Sequence, residues 1–204
     1  IYFYKYLKLI FEDKTLLCFL GLIFLIANPR IFANSFYNPK DIIFLSLFIV
    51  SNYYGLFFLK SKNLKNCFIF SICSAALITT RTFGLVVPFV ISIMFFYEFI
   101  MTKNKKILNL MVINIFLVLL FTYIFWPYLW EDPINNFFDA FTYFKKYGWQ
   151  GSVFYFGEYI KANNLPWHYP VVWIFISMPF IYIAFLLFGI FYITKKFFEN
   201  FISS

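Results

Sequence analysis

The 204 residues are 63% hydrophobic and 27% aromatic, only 13% are charged, and the mean hydropathy is positive. Soluble domains hold roughly half apolar and about a quarter charged residues; this chain folded in water would expose large apolar patches, so a soluble globular domain is excluded. The net charge of +8 punctuates the apolar runs instead of gathering on one face, which is the pattern of membrane topology signals and not of a nucleic-acid surface.

A bilayer's hydrocarbon core is about 30 Å thick and takes about 20 apolar residues per crossing helix. On that basis the chain reads as an all-α polytopic integral membrane protein, a single membrane domain over 1–204 with about six transmembrane helices. Spans are expected near 15–29, 42–59, 66–80, 83–101, 107–126 and 171–194, with an outer loop over 127–170. The first run closes at Asn28-Pro29-Arg30, and a polar loop then carries the chain to Asp41. The second ends in Lys60-Ser61-Lys62-Asn63-Leu64-Lys65, and the third stops at Arg81, with the fourth starting almost at once. Lys103-Asn104-Lys105-Lys106 precedes the fifth run, and Lys195-Lys196 closes the last. The first and third runs are short, so they should carry interfacial flanks, thin the bilayer locally, or lie inside a bundle. Pro88 and Pro179 fall within predicted spans and should kink them. The start at Ile1, with no signal peptide before the first span, reads as a piece of a longer protein.

The 34 phenylalanines accompany many Ile, Asn, Lys and Tyr residues, a set encoded by A/T-rich codons, so genome composition accounts for them before any aromatic array does. Cys18, Cys67 and Cys73 lie in apolar runs without metal-ligand spacing and read as packing residues.

If Lys60, Lys62 and Lys65 are cytoplasmic, alternation also places Lys5, Lys8, Lys14, Lys103, Lys105, Lys106, Lys195 and Lys196 there, eleven of the 17 basic residues. The other side keeps Arg30, Lys40, Arg81, Lys145, Lys146 and Lys161, a bias that follows the positive-inside rule. The outer side then holds both arginines, the only histidine (His168), Trp126, Trp130, Trp149 and Trp167, and the acids Asp41, Glu131, Asp132, Asp139 and Glu158. The working surface is expected there.

Three constellations stand out on that side. Arg30, Lys40 and Asp41 share a short segment; Arg binds phosphate bidentately and Lys acts as a point charge, although both also snorkel to headgroups as a matter of course. Arg81, in Thr79-Thr80-Arg81-Thr82-Phe83-Gly84, sits in a tight turn with little loop to carry it into water, so it calls for a polar cavity or an anion. The stretch 127–170 reads as an amphipathic hairpin on the membrane, with Phe137, Phe138, Phe141 and Phe144 at near-helical spacing and Asp139, Lys145 and Lys146 toward water. Glu158 and His168 are its titratable groups nearest the last span, and Glu98 is expected to pair with a nearby Lys. No GxSxG, P-loop, dinucleotide fingerprint or HExxH occurs.

The segment Asn28-Pro29-Arg30-Ile31-Phe32-Ala33-Asn34-Ser35-Phe36-Tyr37-Asn38-Pro39-Lys40-Asp41 resembles an outer loop of bacterial family 39 glycosyltransferases, relatives of the protein O-mannosyltransferases and the lipid A aminoarabinose transferase. The Thr-Thr-Arg-Thr-Phe-Gly-Leu turn is similar to theirs. So is the stretch from Trp126-Pro127-Tyr128-Leu129-Trp130-Glu131-Asp132-Pro133, through Phe156-Gly157-Glu158-Tyr159, to Leu165-Pro166-Trp167-His168-Tyr169. The resemblance implies a GT-C membrane domain in the bacterial inner (cytoplasmic) membrane. Such an enzyme moves a sugar from a polyprenyl-phosphate carrier to a lipid, glycan or protein acceptor on the extracytoplasmic side. It implies carrier or substrate contacts from Arg30, Lys40, Asp41, Arg81, Glu158 and His168, no cofactor or resident metal (divalent-metal dependence stays open), and a catalytic base upstream of Ile1. Asn34 stands where relatives often carry Asp. The rival classes are a transporter or channel subunit, with Arg30, Arg81 and Asp41 lining a solute path, and a structural membrane partner.

The expected orientation is testable by cysteine labelling in intact cells. A cysteine at Glu131 should react with a membrane-impermeant maleimide from outside, and one at Lys103 only after permeabilisation. External labelling at 103 overturns the orientation.

Overall fold

The computed structural model describes residues 1–12, 14–146 and 150–202, and the side chains of all of these except 144–146 and 200–202. The side chains of Phe144, Lys145 and Lys146, and the whole of Trp149, therefore lie outside the described residues. Two compact units follow each other along the chain, Ile1–Lys146 and Tyr147–Ser204.

The first unit is helical: α1 (Tyr2–Phe11), α2 (Thr15–Ile26), α3 (Pro29–Tyr37), α4 (Pro39–Ser61), α5 (Leu64–Thr80), α6 (Val86–Thr102), α7 (Lys105–Phe125) and α8 (Pro133–Lys146). One-turn 3-10 segments at Thr82–Leu85 and Pro127–Leu129 precede α6 and α8. The helix starts follow from local chemistry. Asn28, Asn38, Asn63 and Asn104 each accept a backbone N–H of the following first turn through the side chain, which satisfies donors that have no intrahelical partner. Asp132 does the same for Asn135. At three of these starts the next residue is Pro29, Pro39 or Pro133, whose missing N–H costs nothing at a first helical position.

Four helical segments are long and apolar enough to cross a membrane: Pro39–Ser61, Thr82–Thr102, Lys105–Phe125 and Phe180–Glu199. Counting the bent pair α2–α3 as one span makes five. The chain is a helical membrane protein, and three elements differ from the sequence reading. First, Pro29–Tyr37 is a helix and not a polar loop, set at 56° to α2. Asn28 caps it, and Asn38 ends it by donating its N–H to the Asn34 carbonyl at 2.9 Å. Second, the last apolar run is two helices, α9 (Tyr169–Ser177) and α10 (Phe180–Ile202). Met178 is extended (ψ 136°), the conformation a following proline favours, so Pro179 divides the run instead of kinking it. Third, residues 2–11 are no tail: α1 packs on α4 and α2, with Lys60 Nζ donating to the Leu9 carbonyl at 2.9 Å and the Tyr2 and Tyr54 hydroxyls 3.3 Å apart. Pro88 sits in the first turn of α6, where its ring is tolerated.

Helix α5 is the axis of the first unit. Its 17 residues rise about 26 Å at 1.5 Å each, short of the hydrocarbon thickness. It packs against α4 and α7, and its Asn66, Cys67, Phe70, Ser71, Ser74, Ala75, Leu77 and Ile78 are buried. Phe58, Ile91, Phe95 and Leu110 from the surrounding helices complete the apolar core. A polar seam runs through it: Ser51 Oγ lies 3.0 Å from Ser74 Oγ, and Ser71 Oγ lies 2.8 Å from the Cys67 carbonyl and 3.1 Å from Asn114 Oδ1. Where lipid gives helices no hydrophobic reason to associate, such bonds and close backbone approach hold them together. Gly55 provides the approach, since a Cβ there would meet Phe70 and Ile91 at 3.0 Å. At one end of the bundle Lys62, a left-handed cap at φ 48°, forms an ion pair with Glu98 of α6, which is the nearby-lysine pairing expected of that acid.

The second unit opens with a hairpin, β1 (Ser152–Tyr155) and β2 (Glu158–Lys161), in which Tyr155 pairs with Glu158 across a two-residue turn. Phe156 and Gly157 both have positive φ, 49° and 92°, as a type I′ turn requires. The phenylalanine bears a left-handed penalty of about 1–2 kcal/mol.

Gly84 provides a test of the α5–α6 turn. A Cβ there would lie 2.9 Å from the Leu77 backbone carbon and oxygen, and backbone at that distance has to move. Gly84→Ala is expected to destabilise the fold by about 1–3 kcal/mol, read by denaturant unfolding in mixed micelles. An unchanged midpoint contradicts this packing.

Candidate functional site

Arg81 caps the C-terminus of α5 in extended conformation (φ −151°, ψ 132°), and its N–H returns to the Leu77 carbonyl at 3.2 Å. The Arg81 carbonyl accepts from Gly84 N at 2.8 Å, which starts the 3-10 turn. The guanidinium Nη2 forms an ion pair with Asp41 Oδ1, and its carbon lies 6.0 Å from the centre of the Phe44 ring. Nε is buried without a partner among the described residues. Asp41 is itself oriented: Oδ2 accepts from Asn38 Nδ2 at 2.7 Å, and its N–H donates to Asn38 Oδ1 at 3.2 Å. As the third residue of α4, it also places negative charge at the positive end of the helix.

Beside this pair lies a cavity of about 460 Å³, walled by Lys40, Ile78, Thr79, Thr80, Arg81, Thr82, Trp126, Tyr128, Asp139, Ala140 and Tyr143. The three helix ends of Asp41, Arg81 and Trp126 meet there, and α8 closes the side. The Thr79 and Thr80 hydroxyls both donate to the Ala76 carbonyl, at 3.0 and 2.9 Å, so the lone pairs they turn outward act as acceptors. Lys40 is exposed and makes no ion pair among the described residues, and the same holds for Asp139. Cations and a carboxylate thus share one chamber without neutralising each other.

Local bonds fix α8 as a wall of this chamber. Trp130 Nε1 donates to the Tyr123 carbonyl at 2.8 Å, and Asn136 Nδ2 donates to the Tyr128 carbonyl at 2.6 Å. Asp132 Oδ2 accepts from Asn135 Nδ2 at 2.7 Å, and this bond with the Asn135 N–H holds the Asp132 carboxyl below the usual carboxylate range. The Phe137 and Phe141 rings pack together on the helix, tilted by 58° with centroids 5.1 Å apart, as their spacing foreshadowed. Asp139 is exposed, as expected, and also lines the cavity, one helical turn from Tyr143.

The six sequence-derived residues separate into three groups. Lys40, Asp41 and Arg81 converge. Arg30, at the second position of α3, is exposed and does not line the cavity. Glu158 and His168 belong to the second unit, where Tyr155 is their common neighbour: Glu158 pairs with it across the hairpin, and the His168 ring centroid lies 5.9 Å from that of Tyr155. The Tyr155 hydroxyl is buried without a partner among the described residues, and burial, reinforced by Tyr169, pushes its pKa up. The acceptor hydroxyls of Thr79 and Thr80 were not foreseen as site groups, nor was Tyr128. No cluster of three or more His, Cys, Asp or Glu suited to a metal ion occurs among the described residues. Comparisons with protein-family models, with curated proteins and with solved structures find no match.

The Asp41–Arg81 pair lends itself to a double-mutant cycle. Both side chains are more than a third exposed, 45% and 38%, so the coupling between Asp41→Ala and Arg81→Ala is expected at about 0.2–1 kcal/mol. Unfolding of the four proteins measures it, and additive losses would show that the pair contributes nothing to stability.

Proposed function

We propose that this chain is the carrier-binding part of a membrane glycosyltransferase that takes a sugar from a polyprenyl-phosphate carrier and hands it to an extracytoplasmic acceptor. The observation that carries the reading is the cavity holding Lys40 and Arg81 at one end of a mostly apolar bundle. A departing lipid phosphate needs cations in a site of low dielectric, where each is worth more than in water. A chamber of this kind at the end of a membrane helix bundle suits a ligand that is half isoprenoid and half anion.

The residues divide the work accordingly. Lys40, exposed and without an ion pair among the described residues, meets the phosphate first. Arg81 keeps Nη2 on Asp41 and offers its remaining donors, with the carboxylate holding the guanidinium in place. Thr79 and Thr80 accept hydrogen bonds from sugar hydroxyls, Trp126 offers an aromatic face, and Asp139 accepts from a further hydroxyl across the chamber. None of these is assigned as the base that activates the acceptor; the resemblance to family 39 enzymes puts that carboxylate upstream of Ile1. The bacterial cytoplasmic membrane, with the cavity on the extracytoplasmic side, belongs to the same proposal.

Lys40→Ala is the cleanest test, because among the described residues the side chain makes no ion pair whose loss would disturb the fold. Loss of one charge-assisted contact, about 1.5–3 kcal/mol, lowers affinity for a polyprenyl-phosphate-linked hexose roughly ten- to a hundredfold in the full-length protein. Arg81→Ala should match that loss, while Arg81→Lys recovers part of it, since an ammonium lacks the guanidinium fork. Unchanged carrier binding in folded Lys40→Ala and Arg81→Ala proteins refutes the reading.

A further inference from the structure

The hairpin of the second unit has two unlike faces. The register pairs Ser152 with Lys161, Val153 with Ile160, Phe154 with Tyr159 and Tyr155 with Glu158. Strand alternation then puts Ser152, Phe154, Tyr159 and Lys161 on one face and Val153, Tyr155, Glu158 and Ile160 on the other. The second face is packed. Tyr155 is 7% exposed, and its ring centroid lies 5.2 Å from Tyr169 and 5.9 Å from His168, which fixes the hairpin to the start of α9. The first face is open: Phe154 and Tyr159 are 60% and 79% exposed and contact each other at 5.2 Å. Phe156, at the turn, is 77% exposed.

We infer that the open face is a membrane-interface anchor, in which Phe154, Phe156 and Tyr159 enter the boundary between headgroups and acyl chains and Lys161 meets lipid phosphates. Three independent observations point to lipid. The first is conformational. The leading position of a type I′ turn has positive φ and takes Asn, Asp or Gly in a turn that faces water. Phe156 at φ 49° bears backbone strain and also exposes an apolar ring; water offers nothing to offset either cost, whereas seating the ring in a bilayer boundary offsets both. The second is composition: aromatic rings, one phenol and one ammonium on a single small face make up the interfacial set, with apolar bodies and wet tips. The third is continuity. The packed face holds the hairpin against the first residues of α9, an apolar helix, and Pro179 leads from it into α10, the candidate span of this unit. A face fixed to the entry of membrane helices is held near interface depth.

The test places one spin label at a time at 154, 156 or 159 of the full-length protein in nanodiscs of phosphatidylethanolamine and phosphatidylglycerol. Cys18, Cys67 and Cys73 are first replaced by alanine. A label at exposed Asn163, in the 3-10 turn after the hairpin, gives the aqueous reference. Oxygen partitions into lipid and a nickel chelate into water, so the oxygen-to-nickel collision ratio at 154, 156 and 159 is expected to exceed that at 163 several-fold. A ratio equal to that at 163 places the face in water and overturns the anchor. Poor access to both reagents places it against protein and overturns it equally. Phe156→Asn supplies a variant that folds, because Asn suits the left-handed turn: hairpin amide protection should hold or rise while the ratio at 154 falls toward the aqueous value. An unchanged ratio at 154 with intact protection shows that the tip does not seat the face, and the proposal fails.

Discussion

Arg81 stands at the end of a helix that is buried inside an apolar bundle, and a guanidinium there has to find an anion or water. A charge near hydrocarbon costs several kcal/mol unless it is paired or solvated. Asp41 meets that demand from the first turn of α4, and Asn38 aims the carboxylate by bonding its other oxygen. The pair therefore joins two chain reversals, the α3–α4 elbow and the α5–α6 turn. Gly84 lets the second reversal close directly on Leu77. Once these contacts are set, the wall of the polar cavity follows, because Lys40 adjoins Asp41 and Thr79 and Thr80 adjoin Arg81 in sequence. The cavity is less a pocket lined residue by residue than a by-product of two turns locked together.

The residues that carry the family resemblance have a second explanation in helix chemistry. Asn28-Pro29, Asn38-Pro39 and Asp132-Pro133 are each an N-cap followed by a proline at the first helical position. Any chain that must restart a helix sharply at a membrane surface is driven toward that dipeptide. Arg30 and Lys40 both come next, where a helix dipole disfavours a cation, so capping does not account for them. Of the two, only Lys40 reaches the cavity. Asn-Pro motifs therefore say little about ancestry, and of the two basic residues Lys40 is the one on which the proposed carrier site rests.

What could be read directly from the sequence is whatever periodicity and composition encode. The long apolar helices, the helix of clustered phenylalanines and the pairing of Glu98 with a lysine all follow from spacing or charge. Three features did not. The segment Pro29–Tyr37 is rich in small and polar residues, so its average character reads as loop; only the caps at both ends make it a helix. Residues 2–11 set two lysines among aromatic and aliphatic side chains, which suits a terminal segment as well as a packed helix until α4 supplies a surface. Asp139 joined the site through helical phase: its exposure was legible, but its place on the cavity wall, one turn from Tyr143, was not. Arg81 was legible as a charge in want of an anion; that the nearest anion is Asp41, forty residues earlier, is a tertiary fact.

The shortness of α5 ties these threads together. A 17-residue helix cannot expose both ends to water and also span the hydrocarbon, so its termini need protein around them. At its start, Asn63 caps the first turn and Asn66 bonds Ser61 at 2.6 Å; at its end, Asp41 takes the charge. Between them Ser71 and Ser74 bond sideways to Asn114 and Ser51, so the helix is held by its neighbours along its length. The single hydroxyl proton of Ser71 is pulled toward both the Cys67 carbonyl and Asn114, and the Asn114 amide nitrogen is left without a partner among the described residues. One end of that buried amide is under-satisfied in either orientation, and at the helix end the Arg81 Nε likewise lacks a partner among the described residues. Under-satisfied donors thus occur both beside the middle of α5 and at its C-terminal end, and of the two only Arg81 borders the polar cavity.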